Sequence, residues 1–199
     1  LILFIPVLLI LWVVGKCNRR ARDIISLRMV QAAFKAIIWT TGVKVTVIGE
    51  ENIPKDHPVL FVANHRSYFD IIVLYRYVVG PTGFIAKKEF RKVPVLGHWI
   101  SCLHGIFLDR KDIKAGLKTI LEAIENVKTK GISYSIFPEG TRNHEKEMLP
   151  FKEGSMKIAT KSGCPIVPVA MTHMDDLLEN HMPFIKGANV SIRFGEPIY

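Results

Sequence analysis

A histidine and an aspartate five residues apart, His65 and Asp70, sit in the stretch ANHRSYFD, directly after the apolar run Val59-Leu60-Phe61-Val62. On one continuous helix, residues five apart point about 140° away from each other, so this pair meets only if the chain bends between them. Ser67 and Asp70 have the spacing of a capping box, with Ser67 at the cap and Asp70 at the third helical position. His65 then stands on the turn ahead of the helix, and the carboxylate folds back towards its ring. A carboxylate so placed fixes the imidazole tautomer and favours the imidazolium that forms when the ring takes a proton. That is a general base suited to an alcohol. No serine or cysteine at a recognisable elbow accompanies the pair, so the economical chemistry is direct attack by a substrate hydroxyl without a covalent enzyme intermediate. The same spacing also fits a plain helix cap beside a histidine that satisfies turn backbone, and these residues alone leave both readings open.

Two further polar clusters extend the pattern. In FPEGTR, residues 137–142, Pro138 and Gly140 force a tight turn with Arg142 at its far end. A guanidinium there can hold a phosphate through paired hydrogen bonds, and backbone N–H groups around Gly140 can assist. In GIFLDR, residues 105–110, Arg110 offers a second phosphate contact. The plainer alternatives are a β-turn with a solvated arginine and a salt bridge from Arg110 to Asp109 or Asp112.

The elements that must carry these clusters alternate between strands and helices. VKVTVIG (43–49), PVLFVA (58–63), GFIA (83–86), GIFLDR (105–110), ISYSIF (132–137), PIVPVAM (165–171) and NVSIRFG (189–195) read as strands. Helices are expected over 20–41, 71–79, the segment after Pro94, and DIKAGLKTILEAIENVKTKG, the last closed by Gly131. This alternation indicates an α/β domain with a mainly parallel or mixed central sheet flanked by helices. Ligands of such sheets gather at the carboxyl ends of the strands. Asn64-His65, Asp109-Arg110 and Glu139–Arg142 all fall at such ends, and that coincidence is the main structural argument for one active site.

The chain has 199 residues, enough for one domain of ordinary size, and a formal charge of +9 from 27 basic and 18 acidic side chains. The excess suits an anionic partner. A nucleic-acid binder would cluster its basic residues with stacking aromatics on one face, and no such pattern stands out. Cys17, Cys102 and Cys164 are far apart, which argues against a zinc site or a disulfide framework and fits a reducing compartment. The first residue is Leu1, as expected of a processed or truncated piece. LILFIPVLLILWVV carries no charge and is followed by Lys16, Arg19, Arg20 and Arg22. It is shorter than the roughly 20 residues of a spanning helix, so it reads as a partial span, a re-entrant segment or a truncated transmembrane helix; if it spans, the basic cluster lies on the cytoplasmic side. Residues 20–41 form an amphipathic helix that can lie in the headgroup layer or pack on the core. The expected division is therefore 1–41, membrane-associated apolar and amphipathic helices, and 42–199, the α/β domain.

Taken together, the clusters resemble the glycerolipid acyltransferases that include the 1-acylglycerol-3-phosphate (lysophosphatidate) acyltransferases. The resemblance covers roughly Val43 to Met171. NHRSYFD looks like the family's H-x4-D block, GIFLDR its second, FPEGTR its third and IVPVAM, with Pro168, its fourth; AKKEF and FKEG resemble segments that accompany them. The resemblance implies acyl transfer from acyl-CoA or acyl-carrier protein to the 2-hydroxyl of a lysophosphatidate, at an anionic membrane surface facing the cytoplasm and with no metal or tightly held cofactor. His65 would be the base and Asp70 its orienting partner. Arg142, with Glu139, Gly140 and Thr141, would grip the glycerol phosphate, and Arg110 would assist. Lys87 or Lys88, or backbone N–H groups, would meet the oxyanion. The competing expectations are acylation of glycerol-3-phosphate or another lysophospholipid, and a non-catalytic membrane-binding module of the same fold.

Overall fold

The apolar run ahead of His65 is a strand buried on both faces. The computed structural model describes residues 4–109, 112–145 and 147–199. In β2 (Leu60–Ala63), Leu60 and Phe61 are both fully buried but belong to different apolar clusters, one on each side of the sheet. That two-sided burial is why the run does not alternate.

Around β2 stand β1 (Lys44–Ile48), β3 (Thr82–Lys87), β4 (Ile106–Leu108), β5 (Ser133–Ile136), β6 (Ile166–Thr172) and β7 (Asn189–Phe194), in the order β1-β7-β6-β2-β5-β3-β4. The strands from β6 to β4 run parallel, whereas β7 pairs antiparallel with β6 and parallel with β1. The sheet is therefore mixed. Pro168 lies inside β6, where it cannot donate; its carbonyl accepts the Gly195 N–H at 2.8 Å just beyond the last β6–β7 register pair.

On one face, α2 (Arg19–Thr40) and α3 (Phe69–Tyr77) cover the sheet. Leu27, Val30, Phe34, Ile37 and Ile38 of α2 pack with Val73 and Leu74 of α3. The periodicity over 20–41 is thus the stripe of a helix packed on the core. Gln31 pins the two helices together: its amide donates to the carbonyls of Tyr75 at 3.0 Å and Val78 at 2.8 Å. On the other face lie α5 (Ile113–Lys130) and the short α6 (Lys157–Ser162), which the sequence reading did not anticipate. Asp112 caps α5 by accepting the Lys114 and Ala115 N–H groups, and Gly131 ends it in the left-handed region at φ 63°. α4 (Leu96–Cys102) leads into β4.

The apolar N-terminal run is helix α1 (Phe4–Cys17), which packs against α2 across the break at Asn18. Fourteen residues rise about 21 Å, short of the roughly 30 Å hydrocarbon layer. Among the described residues no helix is long and apolar enough to cross a membrane. Leu11 is buried, whereas Leu9, Ile10, Trp12 and Val13 are exposed.

Replacing Gln31 with alanine leaves two buried carbonyls without their donor. We expect Gln31→Ala to lower unfolding stability by about 1–3 kcal/mol, seen as a lower urea midpoint at unchanged slope.

Candidate active site

Asn64 ends β2 by replacing a peptide unit with its side chain. Its carbonyl accepts the Met171 N–H at 2.7 Å and its amide donates to the Met171 carbonyl at 2.8 Å. Pairing with β6 thus extends one residue past the strand while the backbone of Asn64 is free to turn. That accounts for an asparagine beside the histidine.

His65 follows on that turn, held from several directions. Its N–H donates to Glu139 Oε1 at 2.9 Å, and its carbonyl accepts the Asn143 N–H at 2.7 Å. Its ring stacks on Phe137, with centroids 4.0 Å apart and planes 20° from parallel. Nδ1 lies 2.7 Å from Asp70 Oδ2, the meeting expected from the bend. The same oxygen accepts the N–H groups of Arg66 at 2.6 Å and Ser67 at 2.8 Å. The Ser67 hydroxyl accepts from the Phe69 N–H at 3.0 Å, one position earlier than a capping box prescribes. Nδ1 is thus committed to the carboxylate, and among the described residues Nε2 has no hydrogen-bond partner.

Asp70 is 0% exposed, and its Oδ1 has no partner among the described residues. Burial pushes its carboxyl above the ordinary carboxylate range, against the downward pull of the bonds from His65, Ser67 and Arg66.

Arg142 comes to the same turn. Its guanidinium donates to Glu179 Oε1 at 3.1 Å and to the Tyr68 hydroxyl at 3.1 Å, and it lies 3.8 Å from the Tyr68 ring centre. Two of its five N–H groups are used, and three remain for a ligand. Glu179 also accepts the Ser67 hydroxyl at 2.6 Å and the Tyr68 N–H at 2.9 Å. Arg66 reaches Asp175 at 2.8 Å. Burial pushes the Asp175 carboxyl up, but the hydrogen bonds from Arg66 and from its own backbone N–H, with the nearby charges of Arg66 and His173, together hold it below its ordinary value.

Other expected site residues occupy different positions. Glu139 is 4% exposed, and its oxygens accept the N–H groups of His65 and of Leu149, the latter at 3.2 Å. It positions the histidine. Gly140 has φ 73°, in the left-handed region that favours glycine, whereas a Cβ there would meet only the far end of the flexible Lys152 side chain. Its N–H donates to the Phe137 carbonyl at 2.9 Å and closes the turn, so it is not free for a phosphate. Thr141 is exposed at the turn's tip. Lys87 lies 3.9 Å from Glu89, and Lys88 is paired with Asp109. Lys87 ends β3 and Lys88 follows it; β5 separates β3 from β2, so the backbone that carries them runs two strand spacings, about 10 Å, from the strand that leads to His65. Arg110 lies outside the described residues.

Asp175 and Glu179 escaped the sequence reading. They lie in short 3-10 turns, Met174–Leu177 and Glu179–His181, more than a hundred positions from the turn they hold. No local spacing connects them to it.

The raised carboxyl of Asp70 sets a testable pH dependence. A group whose folded pKa exceeds its unfolded value, about 3.9 for aspartate, stabilises the fold below that value, and the contribution is lost as pH rises through the folded pKa. Asparagine at 70 cannot ionise. The melting temperature of Asp70→Asn relative to the parent should therefore increase as pH rises above the ordinary carboxylate value, measured by calorimetry across the acid range.

Comparison with known proteins agrees with this geometry. The family model described as Acyltransferase matches residues 44–172. A 1-acyl-sn-glycerol-3-phosphate acyltransferase of Borreliella burgdorferi is 32% identical over 168 residues, covering 84% of this chain and 67% of that protein. Its counterpart in Saccharomyces cerevisiae is 37% identical over 160 residues, covering 79% of this chain and 52% of that protein. The crystal structure of the 1-acyl-sn-glycerophosphate acyltransferase of Thermotoga maritima superposes with a TM-score of 0.78 at 31% identity, covering 91% of this chain and 72% of that one. The chain thus spans about half to two thirds of the length of the curated relatives it matches. The matched stretch runs from β1 to β6 and contains the whole histidine–aspartate turn, and the chain belongs to the acyltransferase family.

Proposed function

We propose that this protein transfers a fatty acyl group from a thioester, acyl-CoA or acyl-carrier protein, to the 2-hydroxyl of 1-acylglycerol-3-phosphate, forming phosphatidate at the cytoplasmic face of a membrane. The observation that carries this reading is the imidazole of His65, with Nδ1 fixed on buried Asp70 and Nε2 free. Nε2 takes the proton of the acceptor hydroxyl as its oxygen attacks the thioester carbon. The C–O bond forms, the tetrahedral intermediate collapses with loss of the C–S bond, and the imidazolium returns the proton to the departing thiolate. Asp70 stabilises the imidazolium between these steps. No metal takes part in this sequence.

Arg142 holds the acceptor phosphate in this reading. Its ion pair with Glu179 and its stacking on Tyr68 fix the guanidinium plane before the ligand arrives, which reduces the ordering cost of binding. The names of the relatives support a lysophosphatidate acceptor. Membrane placement rests on the exposed apolar side chains of α1 and the basic residues after it, which suit a lipid substrate whose phosphate lies at headgroup depth.

The assay uses the purified chain, lysophosphatidate vesicles and a labelled acyl thioester. We expect His65→Ala to lower turnover by about 10²–10⁴-fold, and equal phosphatidate from parent and variant would remove the base role. Arg142→Lys keeps a cation opposite Glu179 but loses the planar fork. It should raise the acceptor KM about tenfold with kcat little changed; an unchanged acceptor KM would remove the phosphate role.

A further inference from the structure

A cavity lies at the end of the sheet opposite the histidine. It has a volume of about 790 Å³ and is lined by Val59 before β2, Thr82 at the start of β3, Ser133 at the start of β5, and the junction of α1 and α2. Its walls carry six Lys and Arg side chains against two carboxylates, Asp23 and Asp56.

Those carboxylates are already engaged. Asp23 pairs with Arg22 at 2.6 Å and with His104 at 2.7 Å, and Asp56 pairs with His57 at 2.8 Å. Arg19, Arg20 and Lys55 have no side-chain hydrogen bond or ion pair among the described residues. The first turn of α2 opens on the same space, which adds the positive end of its macrodipole. A cavity with this surplus of unneutralised donors is built for an anion with several oxygens.

Its rim gives the anion's character. Trp12 lines the cavity, 59% exposed, with the Lys16 ammonium 5.2 Å from its ring centre. Leu9, Ile10 and Val13 continue the exposed apolar surface along α1. An indole between an apolar stripe and a charged pocket has the placement of an interfacial anchor. One molecule fits both surfaces: an amphiphile with hydrocarbon chains along α1 and a phosphate in the cavity.

This phosphate cannot belong to the reacting acceptor. Val59 and His65 are separated by the length of β2, six residues or about 20 Å of extended chain. The phosphate and 2-hydroxyl of one lysophosphatidate are only a few bonds apart, so a lipid in the cavity is a second lipid. We propose that the cavity is a non-catalytic headgroup site, in which Arg19, Arg20 and Lys55 bind the phosphate of an anionic phospholipid in the adjoining leaflet. The proposal rests on the membrane placement above but not on the acyl-transfer chemistry.

The test measures binding of the full chain to vesicles without acyl donor. Phosphatidylcholine vesicles, with and without phosphatidylglycerol, are compared for the parent, for Arg19→Gln/Arg20→Gln/Lys55→Gln, and for a control with equal charge loss on exposed α5, Lys114→Gln/Lys118→Gln/Lys128→Gln. The cavity variant should lose the phosphatidylglycerol-dependent part of binding by about a hundredfold, and the control should keep it within a few-fold. Equal losses in both variants would reduce the effect to overall charge and overturn the site. Failure of the parent to bind any vesicle would instead remove the membrane placement. Phospholipid brominated in its chains should quench the parent's tryptophan fluorescence, and Trp12→Phe should abolish most of that quenching. This arm leaves Arg19, Arg20 and Lys55 in place, and quenching that survives Trp12→Phe would also overturn the proposal. Sn-glycerol 3-phosphate and adenosine 3′,5′-bisphosphate test the soluble sources. If either displaces the chain from phosphatidylglycerol vesicles at the concentration at which it binds the lipid-free protein, the site takes a soluble phosphate and the lipid assignment fails.

Discussion

A single carboxylate oxygen, Oδ2 of Asp70, organises the active-site turn. It accepts the imidazole Nδ1–H of His65 and the backbone N–H groups of Arg66 and Ser67 while the side chain has no exposed surface. A buried carboxylate is tolerated only when its charge is met by hydrogen bonds, and bonds to a charged group are worth about 1.5–3 kcal/mol each. Here the donors all come from the three residues His65, Arg66 and Ser67. Folding the turn and orienting the base are therefore one event. The carboxylate cannot be satisfied unless the chain bends at Arg66 and Ser67, and that bend brings the imidazole to it.

The same logic spreads outward. The N–H of His65 goes to Glu139, those of Arg66 and Ser67 to Asp70, and that of Tyr68 to Glu179. Four consecutive amides each bind a carboxylate. Glu139 brings the loop after β5, and Glu179 brings the segment after β6, so strand ends distant in sequence are fixed to one turn. Arg66 and Arg142 offset part of the negative charge by pairing with Asp175 and Glu179. An arginine held in this way has lost much of its rotamer freedom before any ligand binds, and its remaining donors point where the fold sends them.

The sequence made much of this legible because the interactions are local. His65, Ser67 and Asp70 fall within six residues, and capping-box spacing is a rule about neighbours. The strands were legible through apolar runs bounded by turns, and α5 through Asp112 and Gly131 at its ends. Glu139 was found, but its bond to the His65 amide was not foreseen, since nothing in FPEGTR distinguishes a carboxylate facing a ligand from one facing the His65 amide. Glu179 was not found, because its partners Ser67, Tyr68 and Arg142 lie far off in the chain and the segment around it has no periodicity. The helix over 20–41 had two open readings, headgroup layer or core, because an apolar stripe is the same for both. The structure shows the core packing: the Gln31 amide is buried on the carbonyls of Tyr75 in α3 and of Val78 just beyond it.

The commitment of the turn's amides also constrains the chemistry. A tetrahedral intermediate needs donors aimed at its oxyanion. In many acyl-transfer sites, backbone N–H groups beside the catalytic residues supply them. From His65 to Tyr68 no such group is free, and the Gly140 N–H closes its own turn on the Phe137 carbonyl. Lys88 is held by Asp109 across β5 from the imidazole. The turn thus uses its dipoles to hold negative charge that belongs to the protein. In the proposed reaction, negative charge on the substrate falls to groups that keep spare donors, among them Arg142 against the Tyr68 face of the same turn. In the proposed reaction the fold separates the two tasks: His65 is held rigidly, while Arg142 keeps donors for the ligand.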